Sequence, residues 1–165
     1  MMTQEQAPFE LSIRQNPEGK GYKLQTSLLL PHPRDHVFTF FADACQLEAI
    51  TPPWLQFHIV TPTPIEMKTG AIIDYRLKLH SVTIGWKTRI SVWEPPVRFV
   101  DEQLKGPYRW WRHEHRFESV ETGTKVIDRV EYGVPGGWPV HRMWVRQDLA
   151  RIFTYRQKKL LAIMS

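Results

Sequence analysis

The sequence holds one cysteine, Cys45, in 165 residues. That excludes an intramolecular disulfide and fits a reducing compartment. No apolar run approaches the roughly 18 residues of a bilayer-spanning helix, and the opening MMTQEQAPFE lacks the apolar core of a secretory signal. The expected setting is therefore cytoplasmic, with no transmembrane segment. No internal repeat or low-complexity run interrupts the chain, and no G-x-S-x-G nucleophile turn occurs. Cys45 has no evident histidine partner to activate it. Unmatched charge is scarce except at one end. The net charge is +5, and residues 138–165 hold six Arg or Lys against the single acid Asp148, so the remainder is formally balanced. With no recognition motif and no other unmatched basic cluster, nucleic acid is not an expected partner. The basic end leaves open a peripheral contact with anionic membrane, the alternative being a solvated helix face.

What is present is an ordinary globular composition, 42% hydrophobic and 24% charged, with seven Trp, eight Phe and five Tyr. A chain of this length buries a real core as one domain. Residues 1–21 read as an N-terminal extension and 22–165 as a single domain. YKLQTSLLL (22–30) reads as a strand ended by Pro31. The next stretch carries apolar residues at 37, 38, 40 and 41, which predicts a short helix, and Asp43 caps a second one, ACQLEAI, stopped by Pro52 and Pro53.

Strands follow in quick succession. FHIV (57–60) is short. In AIIDYRLKLH, Ala71, Ile73, Tyr75, Leu77 and Leu79 alternate with polar residues, and Val82, Ile84, Trp86, Ile90 and Val92 do the same in the next strand. Strand 97–104 has two readings: either Phe99, Asp101 and Gln103 face inward, or Val100, Glu102 and Leu104 do. After Gly136-Gly137 the period changes. Val145, Leu149, Ile152, Phe153, Leu160 and Ile163 recur at helical spacing, which predicts one amphipathic helix of about 20 to 25 residues.

The stretch RWWRHEHRFE (109–118) carries the chemistry. Trp110, Arg112, Glu114, Arg116 and Glu118 make one face, and Lys125, Ile127, Arg129 and Glu131 make the matching face of the following strand. Both are largely charged and of mixed sign, as a solvent face with cross-strand ion pairs is. The opposite face then points inward: Trp111, His113, His115 and Phe117 against Val126, Asp128, Val130 and Tyr132. A tight turn at 121–123 sets His115 beside Asp128, His113 beside Val130 and Phe117 beside Val126. Each buried polar group left unpaired costs about 1–3 kcal/mol. Three of them on adjacent strands therefore point to a cavity holding water or a polar ligand rather than to a packed core.

A strand, two short helices, a six-strand meander and a long last helix resemble the START-like helix-grip superfamily, also called SRPBCC. The segments that carry the resemblance are ITPPWLQFHIV, TGAIIDYRLKLH, TIGWKTRISVWEPPVRFVDEQLKGPY and GTKVIDRVEYGVP. The chain is most similar to that superfamily's polyketide cyclase/dehydrase and coenzyme Q-binding branch. The resemblance implies an α+β fold, a curved antiparallel sheet of about seven strands wrapped on the C-terminal helix with a cavity between them. It also implies binding, with transport left open, of a small hydrophobic ligand such as a lipid, isoprenoid quinone or polyketide.

The expected walls are Tyr75, Trp86, Trp111, Phe117 and Tyr132, with His113, His115 and Asp128 orienting the ligand's oxygens. The alternative is a cyclase or dehydratase in which His115 and Asp128 form the acid–base pair. A third reading is a non-catalytic interaction or regulatory module. No cofactor is expected and no metal, since His-x-His supplies two ligands and no further inward histidine is evident.

Overall fold

A computed structural model of the chain describes residues 8–165. Eight antiparallel strands form one sheet in the order β1-β2-β8-β7-β6-β5-β4-β3. They are β1 (Phe9–Gln15), β2 (Tyr22–Leu30), β3 (His58–Ile59), β4 (Ile72–Leu79), β5 (Val82–Glu94), β6 (Arg98–Lys105), β7 (Trp110–Val120) and β8 (Gly123–Gly133). From β3 to β8 each strand pairs with the next, and β2 closes the meander by pairing with β8. The sheet has one strand more than the sequence reading. Phe9–Gln15, placed there in an N-terminal extension, pair along β2 from Phe9↔Leu28 to Gln15↔Tyr22. Phe9, Leu11 and Ile13 alternate with Glu10, Ser12 and Arg14, so one face of this edge strand is apolar.

Helices α1 (Arg34–Ala42) and α2 (Ala44–Ile50) fill the connection from β2 to β3. Asp43 ends the first and caps the second, its Oδ1 accepting from the Cys45 backbone N–H at 2.9 Å. Val37, Phe38 and Phe41 are the buried face of α1. A single 3-10 turn, Pro53–Leu55, follows α2.

The C-terminal helix is not uniform. A first turn, α3 (Trp138–Val140), runs into a wide π-helical segment, His141–Val145, and then into α4 (Arg146–Met164). The bottom of its stripe differs from the sequence reading, with Met164 buried and Ile163 exposed.

Apolar packing forms two clusters along α4. At the C-terminal end, Leu160 and Met164 pack with Leu28, Phe38, Phe99 and Phe117. Toward its start, Leu149 and Phe153 pack with Leu24, Leu77, Trp86 and Trp111. The helix therefore lies along the inner face of the sheet, the helix-grip arrangement.

The β7–β8 hairpin fixes the register. Val120 pairs with Gly123, whose φ of +145° and 2.1 Å clearance from the Leu30 carbonyl oxygen to a would-be Cβ leave room for glycine alone. Along that register His115 pairs with Asp128, His113 with Val130 and Phe117 with Val126, as the alternation predicts. On the outer face Glu114 takes Arg98 at 2.9 Å and Arg129 at 3.2 Å, a cross-strand ion cluster.

Strand β5 departs from simple alternation. Its pairing with β6 slips between Ile90 and Val92, so Trp93 rather than Val92 packs inward, beside Phe38 and Phe99. Beyond that slip β6 turns Phe99 and Asp101 toward the inner face, which decides between the two readings of that strand.

Candidate functional site

A cavity of about 170 Å³ lies between the sheet and α4. Its apolar part is walled by side chains such as Ile73, Leu77, Ile90, Leu149, Ile152 and Phe153. Of the residues expected from sequence, Tyr75, Trp86, Trp111, His113 and His115 reach it. Alternation puts them there, because each occupies an inward position on β4, β5 or β7. Trp86 stands edge-on to Trp111 at 5.4 Å between ring centres and near-parallel to Tyr75 at 5.9 Å.

Three expected site residues, two wall aromatics and one orienting acid, are elsewhere. Phe117 is fully buried in the apolar cluster under α1, in contact with Phe38 and Phe41. Tyr132 is fully buried too, its hydroxyl 2.9 Å from His141 Nε2 on the π-helical segment. Asp128, with no exposed surface, sits behind the histidines rather than on the cavity wall.

The polar centre joins four titratable side chains. His113 Nε2–H donates to Asp128 Oδ1 at 2.9 Å, and His115 Nε2–H donates to Asp101 Oδ2 at 2.8 Å. The expected His115–Asp128 pair is therefore a different pairing in the structure. His115 Nδ1 comes within 3.1 Å of Asp128 Oδ1 without making a hydrogen bond to it. The reason is on β6, whose Asp101 reaches the free end of the His115 ring. The two imidazoles stack at 3.7 Å, and His115 stacks on its other side against Phe99 at 4.2 Å. Behind them Thr26 Oγ1–H donates to Asp128 Oδ2, and Gln157 Nε2–H of α4 donates to Thr26 Oγ1, each at 3.2 Å.

Charge divides unequally over this cluster. Burial opposes ionisation of Asp128, but the hydrogen bond from His113 and the close approach of His115 outweigh it and hold its pKa well below the usual carboxylate range. Asp101 is likewise held low against burial, by its bond from His115 and the nearby charges of His113, His115 and Arg156. Burial lowers the pKa of His113, and the charge of His115 lowers it further. Burial would lower His115 too, but its bond to Asp101 and the closeness of Asp128 raise it. Between two carboxylates held low, a proton is therefore favoured on His115 over His113. Burial, with Asp101 nearby, also pushes the Tyr75 phenol far above its ordinary pKa, so it is a neutral donor.

Asp101, His113 and His115 each offer a ligand atom within 4.8 Å of the others. Two imidazoles and a carboxylate suit zinc or iron by chemistry. Here His115 Nε2 and Asp101 Oδ2 are already hydrogen-bonded to each other.

Sequence reasoning left Asp101 undecided and missed Thr88, Tyr108 and Arg156 on the wall. Arg156 was legible: Leu149, Phe153, Arg156 and Leu160 recur at three- and four-residue steps, which places its charge on the buried stripe of α4. His80, on the polar side of β4 by alternation, lies in the β4–β5 turn, its Nε2 2.6 Å from Asp148 Oδ2 on α4.

Solved structures share this architecture at low identity. Protein Ms6760 from Mycobacterium smegmatis matches with a TM-score of 0.67 at 12% identity, over 93% of this chain and 97% of its own. Protein CV1439 from Chromobacterium violaceum matches with a TM-score of 0.68 at 11% identity, over 86% and 96%. A nucleoside-diphosphate sugar epimerase from Corynebacterium glutamicum is similar over 84% of this chain but only 28% of its own, with a TM-score of 0.63 at 24% identity. No curated protein matches the chain in sequence. The sequence model of the polyketide cyclase/dehydrase and lipid transport family matches residues 30–157, and with that match and the helix-grip architecture the chain belongs to this family.

Proposed function

We propose that the protein binds a small hydrophobic molecule carrying oxygen atoms, of the lipid, quinone or polyketide kind, in the cavity between sheet and α4. The observation that carries this reading is the joining of an apolar cavity to a buried cluster of two carboxylates and two imidazoles. A packed core gains nothing from ionised groups. A binding site gains orientation from them, since the apolar walls take the body of the ligand and the cluster takes its polar end. A cavity of about 150 Å³ holds a benzene ring, so 170 Å³ suits one ring or a short branched chain, with anything longer leaving by the mouth.

A second reading, a cyclase or dehydratase, is favoured by one feature. His115 has its pKa raised beside Asp101, both on the cavity wall, and its imidazolium form there can protonate a carbonyl or leaving hydroxyl.

Native mass spectrometry of the full chain purified from its own host, followed by extraction, tests the binding reading. The expected result is a co-purifying apolar molecule that is lost from Leu77→Trp, which fills the cavity. An empty chain that also fails to bind a panel of quinones, phenols and isoprenoids overturns it. With a ligand in hand, His115→Asn separates the two readings: an enzyme loses turnover and keeps binding, whereas a carrier shows no turnover to lose.

A further inference from the structure

The most exposed contrast in the molecule is between two arginines. Arg98, on the outer face of the sheet, has its guanidinium fully engaged: Nε and Nη2 grip the Glu94 carboxylate at 2.8 and 3.1 Å, and Nη1 donates to Glu114 at 2.9 Å. Arg156, on the inner stripe of α4 with 8% of its surface exposed, makes no hydrogen bond or ion pair with any described residue. Its guanidinium lies over the Phe153 ring at 5.3 Å, and its Nε and Nη2 are shielded and unpartnered. A charge out of water needs partners more than one at the surface does, so the order is inverted.

The vacant edge has a definite shape. Nε–H and Nη2–H are parallel donors on one side of the guanidinium, the pair with which Arg98 holds a carboxylate in this same chain. Arg156 lines the cavity. So does Trp86, whose Nε1–H is buried without a partner. The other two orphaned atoms, His115 Nδ1 and Gln157 Oε1, belong to the carboxylate–imidazole cluster and its support. The acids nearby are already taken, Asp101 by His115 and Asp128 by His113 and Thr26. Asp101 feels the charge of Arg156 without reaching it. Among the described residues neither carboxylate is left to pair with Arg156.

We infer that the ligand is a carboxylic acid, its carboxylate seated two-pronged on the Nε/Nη2 edge of Arg156 and its hydrocarbon part in the apolar cavity. The inference rests on the cavity-binding reading above and narrows it from an oxygenated hydrophobe to an anionic one. A planar two-oxygen anion matches the fork, and the Trp86 indole N–H is a further donor on the same wall.

The test compares 4-phenylbutanoate with 4-phenylbutanamide, equal in shape and different in charge, by isothermal titration calorimetry on the full chain and on Arg156→Met and Arg156→Lys. The expected result is a wild-type preference for the acid of at least about tenfold. Arg156→Met loses that preference while its affinity for the amide stays within about threefold, and Arg156→Lys keeps part of it, as a point charge without the fork. The unliganded Arg156→Met chain also melts at an equal or higher temperature, by up to about 4 °C, because methionine removes an unpaired buried charge. A melting temperature that drops, with acid and amide lost together, makes Arg156 a structural residue and overturns the inference. Equal binding of acid and amide by the wild type overturns it and leaves the cavity-binding reading standing. Binding of neither overturns the inference, and the panel of quinones, phenols and isoprenoids then decides the cavity-binding reading.

Discussion

Asp128 has no exposed surface, yet it is ionised and accepts from His113 and Thr26 while Asp101 shares His115 with it. Removing it leaves the His113 N–H and the Thr26 hydroxyl without their acceptor and takes from His115 one of its two carboxylate neighbours. Asp128→Ala is expected to destabilise the fold by about 3–5 kcal/mol, the scale for stripping one partner from a buried charge pair. The two histidines make stability depend on pH with opposite signs. His115, with its folded pKa raised, contributes stability that is fully present below the unfolded value of 6.5 and is lost as pH rises through the folded value above it. His113 and Asp128, with folded pKa values lowered, contribute stability present above 6.5 and 3.8 and lost as pH falls through the folded values below these. Urea unfolding followed from pH 4 to 9 should therefore give a dome, and His115→Asn should flatten its alkaline limb while leaving the acid limb. An alkaline limb unchanged in that variant removes His115 as the shared proton's site. At this scale the sequence was informative where alternation held: an inward His-x-His opposite an inward aspartate follows from period two and a tight turn. Asp101 was not legible, because its facing depends on where β5 slips against β6, and nothing in VRFVDEQL records that slip.

At the scale of elements, the departures from the sequence reading share a cause, in that each lies where the chain changes how it pairs. The slip at Ile90–Val92 exchanges Val92 for Trp93 on the inner face, and the π-helical His141–Val145 segment precedes a shorter α4. FHIV contracts to His58–Ile59 at the sheet's far edge. Strand β1 is the opposite case, since its alternation is plain but its apolar positions are only half-buried, apart from Ile13. Its value lies in covering the β2 edge. Without it, the backbone groups of Tyr22–Leu30 on that side have no strand to pair with. A chain beginning at Gln15 is expected to lose about 3 kcal/mol from Phe9, Leu11 and Ile13 and to melt roughly 10 °C lower. It should also associate through the bared edge, as size-exclusion chromatography with light scattering will report. A truncated chain as stable and as monodisperse as the full one assigns β1 no part in the domain.

Over the whole molecule, charge is balanced on the sheet and unbalanced at one end. The outer face neutralises itself through Arg98, Glu94, Glu114 and Arg129. Of the six basic residues after Trp138, Arg156 is buried, Lys159 is half-buried and the other four are exposed. Among them stand Trp138, Met143 and Trp144, exposed by 62, 58 and 52%, and Arg142 packs over the Trp138 ring. Trp144 and Arg151 fall on one side of the helix, and Arg151 covers Trp54, which is 46% exposed beside a surface cleft. That cleft shares Leu55, Leu79 and Ile152 with the cavity, so the aromatic and basic surface adjoins the cavity wall. No helix among the described residues is long and apolar enough to cross a membrane. Tryptophans between arginines instead match the interface of an anionic bilayer, where rings sit among headgroups and each cation near the surface contributes about 1 kcal/mol. Co-sedimentation with phosphatidylcholine vesicles, with and without phosphatidylglycerol, is expected to capture the chain on the anionic ones and release it with salt. Arg142→Ala with Arg146→Ala should weaken capture by about 30-fold, and Trp138→Ser with Trp144→Ser should weaken it even at low salt. Both pairs alter exposed side chains, so the melting temperature should hold. A chain indifferent to anionic lipid detaches the cavity from any membrane and leaves its ligand to arrive from water, which a carboxylic acid of one ring can do unaided.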